Sequence, residues 1–199
     1  MPRWIEVCLA FGGLVLLAPL LALISLAVRL SGPGPILFRQ DRVGRAGRLF
    51  QILKFRTMVT DAEARGLKIT CGGHDPRVTA VGFWLRKFKL DELPQLVNVL
   101  AGDMKFVGPR PEVPEYVRLW DANDREVLLA VPPGITDPAS LAFVNEDEEL
   151  GREEDPERAY VERVMPAKLA MNLEYLESRN AVKDFGLIAT TVKRAVLRV

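Results

Sequence analysis

Cysteine and histidine are scarce in this chain of 199 residues, which contains Cys8, Cys71 and a single histidine, His74. Cys8 lies in an apolar run and Cys71 beside glycines, a pattern that indicates neither a disulfide framework nor a cysteine-based metal site. It is typical of a protein from a reducing compartment. An excess of either charge is also absent, since the formal net charge is +1. That balance argues against a protein that binds nucleic acid by bulk electrostatics.

Apolar residues are plentiful by comparison. Hydrophobic residues make up 49% of the chain and charged residues 27%, which suits one globular domain with a packed core. The longest apolar run, residues 7–28, contains no charged side chain. A membrane span needs roughly 20 apolar residues, so this run is a candidate membrane helix. A cleaved signal peptide is the alternative, but the run exceeds the usual apolar core of about 7–15 residues and no clear cleavage site follows.

Pro19 lies in the middle of this run and predicts a bend, because proline removes one helical hydrogen bond and clashes with the preceding turn. Neither half-helix alone crosses a hydrocarbon core of roughly 30 Å. Arginines stand on both sides of the run, at Arg3 before it and at Arg29, Arg39, Arg42, Arg45 and Arg48 after it. Since basic residues favour the cytoplasmic side, this pattern predicts a re-entrant helix over residues 1–30. A straight or kinked span is left open, because spanning helices tolerate proline.

The remainder, residues 31–199, predicts a second unit with its own core. After a Gly/Pro turn at 31–35, strands at 36–38 and 49–55 flank a turn at 44–47 and predict a β-hairpin. Further patterns predict helices at 61–66, 83–87, 91–100, 114–121, 155–164 and 167–179, a loop at 70–78 and a strand at 104–107. The predicted fold class is α+β, a mostly helical small domain with a short β-hairpin.

The final segment carries apolar residues at helical spacing with basic residues nearby. One face contains Phe185, Ile188, Val192, Val196 and Val199. Such a basic amphipathic helix is predicted to lie in a membrane interface. A surface helix packed on the core is the alternative interpretation of the same pattern.

The stretch LDELPQL, residues 90–96, is the most informative motif. Asp91 occupies a natural N-cap position with Pro94 in the first turn, so a purely structural role as a helix cap is one interpretation. The functional interpretation uses the same geometry, because a helix amino terminus attracts anions and an ionised aspartate beside a phosphate can attack phosphorus. Spacing alone does not decide between the two.

Attack of a carboxylate on a phosphate needs cations that offset the repulsion between two negative groups. The candidates are Lys54, Arg56, Arg86 and Arg110. Arg110, locked between two prolines, suits bidentate phosphate recognition or, as the alternative, a rigid structural turn. A divalent ion held by Asp91 or Glu92 would also neutralise a pyrophosphate, as Mg²⁺ commonly does through one or two carboxylates.

In these motifs the sequence resembles the monotopic phosphoglycosyl transferases, the small single-domain form of the bacterial sugar transferase family. The resemblance runs in order over nearly the whole chain. Its parts are the apolar segment with Pro19, RVGRAGRLFQILKFRTM (42–58), DPRVTAVGFWLRKFKLDELPQLVNVLAGDM (75–104), FVGPRPEVPEY (106–116) and PGIT (133–136). The specific part is LDELPQL followed at these intervals by GDM and GPRP.

The resemblance implies an enzyme, a UDP-sugar:polyprenyl-phosphate sugar-phosphotransferase that works in two steps. Asp91 would attack the β-phosphorus of the UDP-sugar, expel UMP and form an aspartyl-phosphosugar intermediate. Polyprenyl (undecaprenyl) phosphate would then attack that intermediate and leave as polyprenyl-diphospho-sugar. This reaction is the first membrane step in the assembly of O-antigen, capsule, exopolysaccharide or glycoprotein glycans.

The resemblance also implies roles for individual residues. Asp91 and Glu92 match the catalytic pair, with Mg²⁺ expected at Asp91, and the role of Glu92 in proton transfer is left open. Lys54, Arg86 and Arg110 match positions near the phosphates. The re-entrant helix bent at Pro19 would place a cytoplasmic catalytic domain, residues 31–199, at the inner face of the bacterial inner membrane, in contact with membrane lipid. A homodimer is left open.

Three positions depart from the family pattern. Ala18 stands before the bend proline and Lys89 before the LDELPQL motif, where serine is frequent in both cases, and Asp137 follows PGIT in place of the usual glycine. The acidic segment 145–156 is interpreted as a subgroup loop that affects sugar choice or, more simply, as a solvated surface.

Three other functions remain as alternatives. One is a catalytically idle membrane anchor or scaffold, which would need no Asp-Glu pair together with Lys54 and Arg110. An ordinary glycosyltransferase would release UDP instead of UMP, and a lipid phosphatase would release inorganic phosphate. The sugar, the pathway, the lipid length and the oligomeric state are not specified by these motifs.

Overall fold

The first element is a long apolar helix that lies along the rest of the chain. The structure, a computed structural model, describes residues 1–60, 62 and 75–197. Helix α1, Arg3–Leu30, continues through Pro19. One stripe of α1, at spacings of three and four, packs on the globular part: Ala10, Leu14, Leu17, Leu21, Ile24 and Val28. Large side chains on the opposite face are exposed, and Leu16 reaches 80% exposure.

The length and composition of α1 suffice to cross a membrane: it has 28 residues and a mean hydropathy of 2.7 in its most apolar window. Both of its ends contact the globular part. At the first end the Arg3 guanidinium donates to the carbonyl of Leu100, and at the other end the Arg56 guanidinium donates to the carbonyl of Val28. The bend at Pro19 and the re-entrant path stay predictions.

The predicted β-hairpin is confirmed, with a longer first strand. Strand β1, Leu37–Val43, pairs antiparallel with β2, Leu49–Phe55, and a 3₁₀ turn at Arg45–Gly47 joins them. Arg39 and Asp41 of β1 are exposed while their neighbours are partly buried. Successive residues of a strand face opposite sides, so this alternation of exposed and partly buried residues is the pattern of a strand that extends beyond the predicted triplet 36–38.

The predicted helix at 83–87 is confirmed as part of α2, Ala80–Lys87, which the Thr79 side chain caps by accepting from Gly82 N. The helix predicted at 91–100 begins later, as α3, Gln95–Ala101, after a 3₁₀ turn at Leu90–Glu92. Pro94 has no N–H to donate to the Leu90 carbonyl. Leu93 N donates to that carbonyl instead, which produces the tighter 3₁₀ turn.

A second, parallel pair of short strands joins two motifs that are distant in sequence. Strand β3, Lys105–Val107, falls on the predicted strand, and its partner is β4, Gly134–Thr136. Gly108, which follows β3, lies very close to Gly134, the first residue of β4. A Cβ atom on Gly134 would lie 2.1 Å from Gly108 N, so only glycine fits there. The motifs GPRP and PGIT are therefore neighbours in space.

Eight helical elements form the rest of the described chain, and most of them share one apolar core. They are α4 (Pro114–Val117), α5 (Ala122–Leu129), α6 (Pro138–Ala142), α7 (Glu146–Leu150), α8 (Pro156–Ala159), a π-helical turn (Tyr160–Val164), α9 (Met165–Ser178) and α10 (Ala181–Leu197). The helix predicted at 114–121 ends at Val117, and Asp121 instead caps the next helix, α5, by accepting from Asp124 N. The helices predicted at 155–164 and 167–179 correspond to α8 with the π-helical turn and to α9.

Helix α10 packs against the β3–β4 pair, where the Thr191 and Thr136 hydroxyls are 2.7 Å apart. On its predicted apolar face, Phe185 and Val192 are exposed and Ile188 is partly buried. The side chains of Val196 and Val199 lie outside the described part of the chain, as do Cys71, His74, most of the predicted helix 61–66 and the first residues of the predicted loop 70–78.

Candidate active site

A carboxylate held by two cations forms the centre of the candidate site. Glu92, in the 3₁₀ turn, accepts from Lys54 Nζ on β2 at 2.9 Å. It also accepts from both terminal nitrogens of Arg110, which follows β3. The three side chains are largely buried. The structure therefore brings together three of the residues that the sequence singles out.

Backbone contacts hold the elements of this cluster in register. Asn98 of α3 clamps β2 beside Lys54: its Oδ1 accepts from Leu53 N at 3.0 Å and its Nδ2 donates to the Gln51 carbonyl at 2.8 Å. On the other side, Arg110 Nη1 donates to the Ile135 carbonyl of β4 at 3.3 Å. The cluster thus sits where the hairpin, the 3₁₀ turn and the parallel strand pair meet.

Asp91 stands beside this cluster but takes no part in its ion pairs. Its side chain is buried, with 8% of the residue exposed, and its Oδ1 has no hydrogen-bond partner in the described part of the chain. The interpretation of Asp91 as a helix cap is wrong. The cap positions of the 3₁₀ turn and of α3 are Lys89 and Pro94, and neither helix receives a side-chain cap. Helix capping therefore does not explain why the Asp91 side chain is buried.

The electrostatics separate the two neighbouring carboxyl groups. Burial raises the pKa of Asp91, and the negative charge of Glu92 raises it further. Burial alone would raise the pKa of Glu92 too, but Arg110 and Lys54 outweigh it and hold that pKa well below its ordinary value. Burial lowers the pKa of Lys54, against the opposing effect of Glu92, whereas the Glu92 charge raises the pKa of Arg110. Glu92 is the group whose ionised form this cluster favours.

Arg86 and Arg56 lie outside the Glu92 cluster. Arg86 Nη2 donates to Asp147 of α7 at 3.1 Å, and its charge lowers the pKa of Asp91. It therefore lies close enough to influence that carboxyl group. Arg56 is buried at the carboxyl end of α1, where its guanidinium donates to the carbonyls of Val28, Gly32 and Pro33. The structure places Arg56 on the turn after α1 and not beside Glu92.

The donor set fits a magnesium ion held in part by substrate. No group of three or more histidine, cysteine or acidic side chains that could hold a metal occurs among the described residues. Mg²⁺ is commonly held by one or two carboxylates together with phosphate oxygens and water, which requires no such group. Asp91 Oδ1 is buried and unpartnered among the described residues, whereas Glu92 is bound by two cations. Asp91 is thus the residue that would hold the ion.

Comparison with known proteins decides the family. The profile of the family described as "Bacterial sugar transferase" matches residues 1–198. The chain belongs to this family. The matched region includes α1, the Glu92 cluster and α10, so this bacterial sugar transferase carries the family pattern over nearly its whole length.

Individual relatives in the family differ in length. The chain is 38% identical, over 92% of its length and 33% of the relative's, to "Undecaprenyl-phosphate glucose phosphotransferase" of Komagataeibacter xylinus. It is 41% identical, over 67% of its length and 32% of the relative's, to "UDP-N-acetylgalactosamine-undecaprenyl-phosphate N-acetylgalactosaminephosphotransferase" of Aeromonas hydrophila. It is 33% identical to "Exopolysaccharide production protein PSS" of Rhizobium leguminosarum bv. phaseoli, over 98% and 95% of the two lengths. The chain thus spans about a third of the first two relatives and nearly all of the third.

Sequence reasoning assigns no role to two carboxylates of this bacterial sugar transferase, the partly buried Glu112 and the buried Asp137. Glu112 accepts from Arg42 Nη1 at 3.0 Å and from the Tyr160 hydroxyl, which ties the hairpin to the π-helical turn. Asp137 accepts from Arg110 N at 2.8 Å. The departure from the family pattern at Asp137 is the signal that could have found it. Nothing in the spacing of Glu112 separates it from the surrounding acidic residues.

Proposed function

We propose that this protein is a phosphoglycosyl transferase, which moves a sugar-1-phosphate from a UDP-sugar to polyprenyl phosphate and releases UMP. The observation that carries the proposal is the contrast within one turn: Glu92 is neutralised by Lys54 and Arg110, while Asp91 is buried with an unpartnered oxygen. A buried carboxylate without partners costs stability, so a site that retains one favours a chemical role for it. The names of two relatives support undecaprenyl phosphate as the acceptor, and one of the two also supports a UDP-sugar as the donor.

In the first step, Asp91 Oδ attacks the β-phosphorus of the donor. A P–O bond to Asp91 forms as the bond between the β-phosphorus and the bridging oxygen breaks, and UMP leaves with that oxygen. In the second step, a phosphate oxygen of polyprenyl phosphate attacks the same phosphorus. The Asp91–phosphorus bond breaks, which restores the carboxylate and gives polyprenyl-diphospho-sugar.

Glu92 supports this chemistry by fixing two cations rather than by reacting. Lys54 and Arg110 have three and five N–H donors, so each keeps donors for phosphate oxygens after binding Glu92. In this proposal, their positive charge stabilises the negative charge of the transferred phosphoryl group. A magnesium ion held by Asp91 would neutralise the donor's diphosphate, a role in keeping with the unpartnered Oδ1.

The membrane arrangement proposed here is a re-entrant one, on the cytoplasmic face of the bacterial inner membrane. It is supported by the contacts of Arg3 and of Val28, which attach both ends of α1 to the globular part. Helix α1 is about 42 Å long at 1.5 Å per residue, and its outward face is exposed and apolar. The exposed Phe185 and Val192 of α10 support an interfacial position for that helix. Such an arrangement lets a soluble nucleotide sugar and a membrane lipid reach one site.

Nucleotide release tests the function directly. Purified protein in detergent or nanodiscs receives Mg²⁺, undecaprenyl phosphate and one of a panel of UDP-sugars, with and without the lipid. We expect UMP that depends on the lipid and on one or a few sugars, and incorporation of labelled sugar into the lipid fraction. Release of UDP would show simple glycosyl transfer, and inorganic phosphate without a nucleotide donor would show a phosphatase. The Asp91→Asn variant should release no UMP.

A further inference from the structure

Asp137 is the most deeply buried acidic side chain around the candidate site, with 1% of the residue exposed. Its Oδ2 accepts from Arg110 N at 2.8 Å and from Asn172 Nδ2 of α9 at 3.1 Å, and its Oδ1 accepts from Ser140 N. Both oxygens therefore have partners. A buried carboxylate with this many donors is held by them in one orientation.

Helix capping alone does not account for these contacts. Asp121 and Asp155 cap α5 and α8 in the same way, each accepting from the N–H three residues ahead, and both of those contacts are exposed. Asp137 caps α6 in that way and also reaches Arg110 and Asn172. A cap needs a single accepted N–H, so the bonds to Arg110 and Asn172 are additional. They join the five-residue α6 to the candidate site on one side and to the core helix α9 on the other.

Arg110 is held from three directions as a result. Its backbone N–H bonds to Asp137, its guanidinium bonds to the Ile135 carbonyl, and the same guanidinium binds Glu92. The neighbouring residues Pro109 and Pro111 have no N–H, so the N–H of Arg110 is the donor by which this turn can be anchored. The continuous path runs from Asn172 in α9 through Asp137 to Arg110 and on to Glu92.

We infer that Asp137 is a positioning residue for phosphate transfer, which acts by fixing the place of Arg110 opposite the donor's diphosphate. The inference rests on the proposed function. A guanidinium recognises phosphate oxygens through a planar pair of donors, so a small displacement of its backbone misaligns both hydrogen bonds. The Asp137 charge also contributes to raising the pKa of Arg110, after the larger effect of Glu92. Asp137 thereby supports both the position and the charge of Arg110.

A double-mutant cycle separates this role from a structural one. The variants are Asp137→Ala, Arg110→Lys and their combination, with kcat and KM for the UDP-sugar measured from UMP release. We expect Asp137→Ala to lower kcat/KM by about 10-fold or more, because a misplaced contact in an active site costs up to about 100-fold. In the Arg110→Lys background, the same substitution should cost less than about 2-fold, because residues that act through one another are not additive.

Matched controls are Asp121→Ala and Asp155→Ala, which remove the same type of cap from α5 and α8. Each should lower kcat/KM only slightly. In combination with Arg110→Lys, the fold loss should equal the product of the two single losses. If Asp137→Ala fails to fold, Asp137→Asn replaces it, since asparagine keeps the size of the side chain and one oxygen acceptor. Multiplicative losses at Asp137, or wild-type kinetics in Asp137→Ala, would overturn the inference while leaving the proposed function intact. Absence of UMP release from the wild-type protein would instead overturn the proposed function, and the inference with it.

Discussion

Asp91 and Glu92 are consecutive residues of one 3₁₀ turn, yet Glu92 binds Lys54 and Arg110 while Asp91 Oδ1 has no partner in the described part of the chain. The two carboxylates therefore have opposite effects on the fold. Glu92 pairs with two partly buried cations and stabilises the contact between three elements. Asp91 adds a buried negative charge next to another one, which raises its pKa, and its Oδ1 has no hydrogen-bond partner among the described residues.

Replacing Asp91 by asparagine should abolish UMP release and leave the protein at least as stable. The raised pKa of Asp91 means that the ionised carboxylate costs stability at neutral pH, where a neutral amide does not. We therefore expect the free energy of unfolding to equal or exceed that of the wild type. Thermal unfolding in detergent and UMP release are measured on one preparation. The exposed Asp41→Asn variant serves as the control and should change neither; a melting temperature several degrees lower for Asp91→Asn would indicate a structural role.

Replacing Glu92 by glutamine should have the opposite effect on stability. It leaves the partly buried Lys54 and Arg110 without the carboxylate that accepts their hydrogen bonds, and the loss of such a partner costs roughly 1–3 kcal/mol. The folded-state pKa of Glu92 lies well below the ordinary 4.5, so its stabilisation is complete above that value and is lost as the pH falls towards the folded-state pKa. Chemical unfolding from pH 7 down to about pH 3 should therefore show an acid-dependent loss that shrinks in Glu92→Gln.

The control for that experiment is Glu126→Gln, which changes an exposed carboxylate of α5. It should retain both the wild-type stability at pH 7 and the wild-type acid dependence. Equal stability of Glu92→Gln and Glu126→Gln at pH 7 would contradict the assignment of Glu92 as the countercharge of the cluster.

The pH dependence of turnover should respond to magnesium. If Asp91 is the nucleophile, as proposed, it must be ionised to react. Its pKa is raised above the ordinary 3.8, so the acidic fall in kcat/KM should occur at a higher pH than for an ordinary aspartate. A metal ion binds the ionised carboxylate, so increasing Mg²⁺ should move that fall to lower pH. Lys89→Met should move it to higher pH, because the Lys89 charge lowers the pKa of Asp91. If neither the Mg²⁺ concentration nor Lys89→Met shifted the acidic limb of the kcat/KM profile, Asp91 would be excluded as the group that titrates.

Lys54 and Arg56 lie two residues apart but should respond differently to replacement by methionine. Lys54→Met removes a cation from the Glu92 cluster and should lower kcat by about 100-fold, the size typical of the loss of one charge-stabilising donor. Arg56→Met removes hydrogen bonds to the turn after α1 and should lower the melting temperature, with kcat per folded molecule within about 3-fold of wild type. A loss of kcat in Arg56→Met as large as that in Lys54→Met would show that Arg56 also serves the phosphate.

The sequence predicts the elements with strong local signals and misses those that depend on distant partners. Alternating side chains and a glycine-rich turn suffice for the hairpin, and helical spacing suffices for α2 and α9. The pairing of β3 with β4 is not predictable in this way, because three-residue strands have almost no period and their partners are 29 positions apart. Helix α3 starts later than predicted because Pro94 lacks an N–H. The spacing of apolar residues, on which the prediction rests, contains no information on this missing donor.

The candidate site shows the same limit. Composition and motif order identify Lys54, Glu92 and Arg110, but not which of the neighbouring arginines reaches them. Arg56 follows β2 directly, so its side chain meets the carbonyls at the end of α1 before it can reach Glu92. Asp137 stands out in sequence only as an unusual residue after PGIT, and its contact with Arg110 becomes visible once β3 and β4 are paired.

The parallel pairing of β3 with β4 also sets an order of events during synthesis. A ribosome releases the chain from its amino terminus, so α1, the hairpin and α3 emerge before the strand that anchors Arg110. Contacts between distant segments form late, because a long loop must close first. Asp137 and Asn172 follow Arg110 by 27 and 62 positions respectively. If α1 inserts in the lipid bilayer as proposed, it can do so while Arg110 is still unanchored, and the candidate site would be completed only after attachment.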